Sequence, residues 1–160
     1  MRMSVAGAGL CALLWVACGP SEEDVRRMVR EEMNAAAEKT IIAPVGVIGP
    51  YSPAVRVGRF LFVSGQIALD PETGTLRNDD IEVETRQVLS NLNRILGAAG
   101  YDSSHVVSAT VYLKNINDYQ RVNAIYGGYF EEGHYPARVA LEVGNLPRQA
   151  NLEISLIAFK

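Results

Sequence analysis

The sequence predicts an α/β domain in which a mixed β-sheet carries two helices on one face. Three observations support that expectation. Apolar residues recur at helical spacing in two stretches of the C-terminal part, β-branched and aromatic residues dominate five short runs, and the two kinds of segment alternate along the chain. Apolar residues on both faces of several strands also require cover for the side of the sheet that two helices leave bare. Self-association is the economical way to provide it.

Residues 1–17 read as a signal peptide of the lipoprotein type. Arg2 precedes an uncharged apolar run, Val5 to Val16, which ends at Ala17 directly before Cys18. A run of about 12 residues is shorter than the roughly 20 that a bilayer-spanning helix requires, so a processed leader is expected rather than a permanent span. The stretch Leu14-Trp15-Val16-Ala17-Cys18 resembles a bacterial lipoprotein processing site. That resemblance implies an acylated Cys18 as first residue of the mature chain, a lipid bilayer as partner, and a cell-envelope location outside the cytoplasm, on the periplasmic side in a two-membraned host; a plain secreted chain, an uncleaved anchor and a cytoplasmic protein are the alternatives. Several acyl chains would hold it durably, at about 0.8 kcal/mol per buried methylene.

Residues 18–40 are expected to form a partly helical tether. Ser21 and Asp24 suit a helix start, and Glu22 and Glu23 complement the exposed amide groups of a first turn. Val25, Met28, Val29, Met33, Ala36 and Ala37 then recur at intervals of three and four. Such a stripe fits either a helix lying on lipid or on a partner, or a plain spacer. Its alanines and the marginal stability of an isolated helix favour the spacer.

The globular domain is expected over residues 41–160. Val55 to Val57 pairs with the strand in Gly58-Arg59-Phe60-Leu61-Phe62-Val63-Ser64-Gly65, which reads as largely buried. Asp70-Pro71-Glu72-Thr73-Gly74 has the chemistry of a turn. Between Asp80 and Ala99, Ile81, Val88, Leu89, Leu92, Ile95 and Leu96 share one helical face, and Gly100 stops the helix. Val106 to Leu113 predicts a strand. Asn117 or Asp118 is expected to cap a second helix carrying Val122, Ile125, Tyr126 and Phe130. Ala137 to Val143 and Leu152 to Ala158 predict the last two strands.

Composition narrows the function. A formal charge of −3 with interspersed acids and arginines offers no basic stripe for a nucleic-acid backbone. Cys11 and Cys18 both precede the domain, so no disulfide framework is available inside it. His105 and His134 have no cysteine beside them and no metal cluster is expected; Ser64 before Gly65 falls short of a nucleophile elbow. Two residues do suggest chemistry. Arg138 opens an otherwise apolar strand, where a guanidinium can clamp a carboxylate with two parallel hydrogen bonds, or simply stand at an exposed edge. Glu153 interrupts apolar neighbours in the last strand; partial burial would favour its neutral form and suit it to proton transfer, and a salt bridge is the plainer alternative.

Five motifs then occur in one order: Ile48-Gly49-Pro50-Tyr51-Ser52, Phe62-Val63-Ser64-Gly65-Gln66, Asp70-Pro71-Glu72-Thr73-Gly74, Val122-Asn123-Ala124-Ile125-Tyr126, and PARVALEVGNLPRQANLEI from Pro136 to Ile154. On them the chain resembles the RidA/YjgF family of reactive-intermediate deaminases over essentially all of 41–160. The resemblance implies a chorismate-mutase-like fold of the bacterial type, a homotrimer with a central barrel, and clefts between subunits. It implies that Arg138 binds a substrate carboxylate, that Glu153 positions or activates water, and that Tyr51, Ser64, Gly65 and Asn123 line or support the cleft. Many bacterial members carry a cysteine where this chain has Ala140. The implied activity is cofactor-independent hydrolysis of small enamines or imines bearing a carboxylate, giving a 2-oxo acid and ammonia. The alternative is a non-catalytic trimeric module, ligand-binding or chaperone-like, held at the membrane.

Overall fold

The computed structural model describes residues 19–36, 38–44 and 49–160. The expected leader 1–17, the lipidation site Cys18 and Ile48 of the first motif lie outside them. Contacts divide the chain between Ala35 and Ala36. The described part of the first unit begins at Gly19 and carries helix α1 (Glu22–Ala36), whose last residue falls just past the division. Its first turn is a reciprocal cap: Asp24 N donates to Ser21 Oγ at 3.1 Å, and Ser21 N donates to Asp24 Oδ2 at 3.2 Å. Arg26 pairs with Glu22 and Arg27 with Asp24, both at 2.6 Å. Among the described residues no helix is long and apolar enough to cross a membrane.

The second unit contains β1 (Lys39–Ile42), β2 (Ala54–Val57), β3 (Phe60–Gln66), α2 (Ile81–Ala98), β4 (Val106–Leu113), α3 (Tyr119–Gly127), β5 (Ala137–Glu142) and β6 (Leu152–Phe159). The strands form one sheet in the order β1-β2-β3-β6-β4-β5. Every pair is antiparallel except β4 with β5, whose parallel crossover carries α3. The sheet is therefore mixed, as the sequence predicts. Strand β1 was not foreseen. It pairs with β2 from Lys39↔Val57 to Ile42↔Ala54, across the expected tether boundary at residue 40. Four residues beginning Lys39-Thr40 carry too little alternation to announce a strand.

Burial alternates along β6, the first part of β3 and β4 from Ala109 onward, and locates the helical layer. Leu61 and Val63 of β3, Ala109, Val111 and Leu113 of β4, and Leu152, Ile154, Leu156 and Ala158 of β6 are buried in one core with both helices. From α2 come Val88, Leu89, Leu92, Ile95 and Leu96, each fully buried aliphatic side chain contributing about 1.5–3 kcal/mol. The opposite face is open and apolar: Phe60 and Phe62 are 45% and 46% exposed, Val139 57%, and Phe159 37%. The expectation that β3 is largely buried thus holds for one of its faces only, because among the described residues no element of this unit covers the other.

Helix ends follow local chemistry. Asp80 caps α2 by accepting from Glu82 N at 2.7 Å and Val83 N at 3.3 Å, and Gly100 follows it at φ +79°. The expected cap of α3 is different. Asp118 makes no side-chain cap bond; instead Asn115 Oδ1 accepts from Asn117 N at 3.0 Å and starts a 3₁₀ turn, Ile116–Asp118, that leads into α3. Phe130 lies beyond the end of α3, yet is buried against Tyr126, their rings 4.9 Å apart.

Candidate active site

One stripe of α3 builds a seat for Arg138. Tyr119, Asn123 and Tyr126 are four and three residues apart, so they share the face that meets β5. Arg138 Nη1 donates to Asn123 Oδ1 at 2.8 Å and Nη2 donates to the Tyr119 hydroxyl at 3.1 Å. The guanidinium carbon lies 4.6 Å from the centre of the Tyr126 ring and 5.6 Å from that of Tyr119. Two of five N–H groups are thereby engaged, and the cation is fixed with donors left for an anion. Asn123 and the Arg138 cation together hold the Tyr119 phenol below its ordinary value. Burial pushes Tyr126 up to about 12, and its buried hydroxyl has no hydrogen-bond partner among the described residues. Beside Arg138 opens a cleft of about 530 Å³ lined by Ile116, Asn117, Tyr119, Gln120, Arg138 and Ala140. Arg138 is the single charged residue in that lining.

A second cluster forms where β3 meets β6. The register between them shifts after Val63, and Gly65 faces Glu153 there. A Cβ built on Gly65 would stand 1.7 Å from Glu153 Oε1 and 2.7 Å from its Cδ, so the carboxylate occupies the room a side chain would take. Burial raises the Glu153 pKa above its ordinary 4.5. Ser64 Oγ donates to Ser52 O at 2.7 Å and Ser64 N to Pro53 O at 3.0 Å. Its hydroxyl proton is spent on tying down the loop that carries the exposed Tyr51. The Gln66 amide donates to the carbonyls of Ser64 and Gly65, each at 3.1 Å.

The two clusters lie on opposite faces of the sheet. Arg138 pairs with Ala109, whose side chain is in the helical core, whereas Glu153 pairs with Tyr112 on the other side. Side chains alternate with a period of two, so neither residue reaches the other's face within one chain. The structure therefore brings Arg138 to Asn123, and Glu153 to Gly65, while leaving the two groups apart.

The family model described as Endoribonuclease L-PSP matches residues 41–160. A RutC family protein of Pyrococcus horikoshii is 51% identical over 113 residues, covering 71% of this chain and 89% of its own. The chain belongs to the RidA/YjgF family. The human 2-iminobutanoate/2-iminopropanoate deaminase is 45% identical over 115 residues, covering 72% of this chain and 83% of that protein. The crystal structure of YyfA from Yersinia pestis, a protein of unknown function of the conserved Rid protein family, superposes with a TM-score of 0.73 at 42% identity, covering 77% of this chain and all of that one.

For this RidA/YjgF chain, sequence reasoning missed three residues of the site's support. Tyr119 and Tyr126 were legible as a stripe with Asn123, had the helix been matched to the lone arginine of the following strand. Glu84 had no such signal. It is fully buried in α2, and its carboxylate accepts from Asn151 N at 2.8 Å, Asn151 Nδ2 at 3.0 Å and Leu152 N at 3.1 Å, pinning the start of β6 one residue before Glu153.

Proposed function

We propose that the protein hydrolyses small imines bearing a carboxylate, the 2-iminopropanoate and 2-iminobutanoate class, to 2-oxo acids and ammonia without a cofactor. The observation that carries this reading is Arg138, held by Asn123 and Tyr119 at the mouth of a cleft with no carboxylate in its lining. Such a seat selects a small carboxylate and leaves the adjoining carbon to be attacked. An enamine substrate first tautomerises to the imine. Glu153 takes a proton from water as its oxygen bonds to the imine carbon, and the C=N pair becomes an N–H bond as that proton is passed on. Glu153 then moves the hydroxyl proton of the carbinolamine to nitrogen, the C–N bond breaks, and the 2-oxo acid and ammonia leave.

The reading requires two subunits, since Arg138 and Glu153 occupy opposite faces. A homotrimer of the chorismate-mutase-like kind, its barrel formed by the apolar faces around Phe60, Phe62 and Phe159, would bring one chain's Glu153 to the next chain's Arg138. The proposed location is the cell envelope, supported by the sequence of residues 1–18 alone. An acylated Cys18 at the start of the natively expressed protein, read by mass spectrometry, is the expected result, and an intact Met1 would overturn it.

The activity is tested by ammonia and 2-oxo-acid release from freshly generated 2-iminopropanoate. Arg138→Ala should lower kcat/KM at least ~30-fold, the loss of a charged hydrogen-bonded anchor costing about 2–5 kcal/mol. Equal release by wild type, variant and buffer would refute it and favour the non-catalytic binding module.

A further inference from the structure

We infer that Tyr119 is a positioning residue that sets the orientation and the availability of the Arg138 guanidinium for a substrate carboxylate, an inference that rests on the function proposed above. Asn123 takes Nη1 of Arg138, and without a second acceptor the planar group would still turn about its Cζ–Nη and side-chain bonds. The Tyr119 hydroxyl supplies that acceptor at Nη2, 3.1 Å away, while its ring lies on the guanidinium at 5.6 Å. Tyr119 also lines the cleft, so the residue that holds the cation borders the space where its ligand would sit.

This arrangement gives the seat a pH-dependent occupant of its own. As a phenol, Tyr119 accepts from Nη2 and leaves the positive charge for the substrate. As a phenolate, it becomes a permanent anion against the same cation and competes with the substrate carboxylate. The direction of its shift, downward because of Asn123 and Arg138, brings the change below the ordinary tyrosine range. Around it stand the other charged and titratable groups. From β5, Arg138 faces the hydroxyl directly, and Glu142 Oε2 accepts from Ile116 N at 2.7 Å. On α3, Tyr126 titrates higher, near 12, and Asp118 faces Arg121 at 3.7 Å. From the start of α2, Asp80 and Glu82 are both engaged by Arg121.

The test compares the full-length wild type with Tyr119→Phe, which keeps the ring and removes the hydroxyl. The first readout is NMR of the Arg138 guanidinium in the free protein, where restricted rotation of the Nη groups reports the seat without any substrate. The second is pyruvate affinity from pH 7 to 10, with pyruvamide as the uncharged control. Tyr119→Phe should speed Nη rotation, weaken pyruvate binding about fivefold at pH 7, and abolish its alkaline decline, with melting temperature and pyruvamide binding unchanged. Unchanged Nη rotation, or unchanged pyruvate affinity with the alkaline decline intact, would overturn the role of Tyr119. Wild-type protein that binds no pyruvate while its Arg138 is rigid and loosened by the substitution would instead overturn the carboxylate reading, and with it the purpose assigned to the seat.

Discussion

Gly65→Ala separates the chemistry of Glu153 from the stability of the fold. The added Cβ would stand 1.7 Å from Glu153 Oε1, and a carbon and an oxygen need roughly 3.2 Å, so the carboxylate must retreat by about 1.5 Å. The obstacle is the far end of a flexible side chain, and Gly65 is not among the glycines with positive φ, so the backbone accepts alanine. Stability should therefore change little, by about 1 kcal/mol or a few degrees in Tm. Catalysis should change much more, because a displacement of about 1 Å at a reacting group can cost ~100-fold. The assay is kcat for release of 2-oxo acid from freshly generated 2-iminopropanoate, with Tm and assembly mass measured on the same sample. An alanine variant with wild-type kcat would sink the role given to Glu153. So would a variant whose activity is lost only in step with a collapse in Tm.

Three further predictions follow from the same geometry. In the substrate complex the ligand carboxylate balances Arg138, and burial still raises Glu153, so kcat above the uncatalysed rate should fall with acid at a pH above the ordinary 4.5; Glu153→Gln should be slow and lack that limb, and a limb at or below 4.5 contradicts the assignment. Tyr126→Phe removes a buried hydroxyl that has no partner among the described residues and should raise stability by about 1 kcal/mol in thermal melts, whereas a loss of that size would show that assembly supplies a partner. Arg138→Ala and Glu153→Gln chains refolded together should recover about a quarter of wild-type activity, since random mixing places an intact Arg138 next to an intact Glu153 in one site of four. No recovery in mixed assemblies would place both residues in one subunit's site.

How much of this was legible follows from how local each signal is. The face of α2 was readable because six apolar core positions repeat within a single helix, and Gly100 fell where its end requires a positive φ. Arg138 and Glu153 stood out as charges within apolar strands, and the structure gives each one close partners. What the sequence left hidden depends on pairing between distant segments. Strand β1 has meaning only beside β2, and the buried Glu84 only beside Asn151 and Leu152, 67 and 68 residues away. The seat of Arg138 likewise needs α3 packed on β5, which no periodicity within either element reveals.

The division of the site between two faces follows from strand parity. Ala109 and Tyr112 of β4 are three residues apart and so point to opposite sides, and their partners Arg138 and Glu153 inherit that opposition through the register. No side-chain rotation inside one chain removes it. The outer face that carries Glu153 also carries Ile157 and Phe159 of the same strand, so the apolar surface that favours association and the carboxylate proposed to move protons are presented together. A lone chain would offer an imine either a carboxylate anchor or a proton carrier. On the proposed mechanism, an assembly that sets one chain's Glu153 against the next chain's Arg138 would supply both, which would make assembly a condition of the chemistry as well as of burial, and would tie the loss of one to the loss of the other.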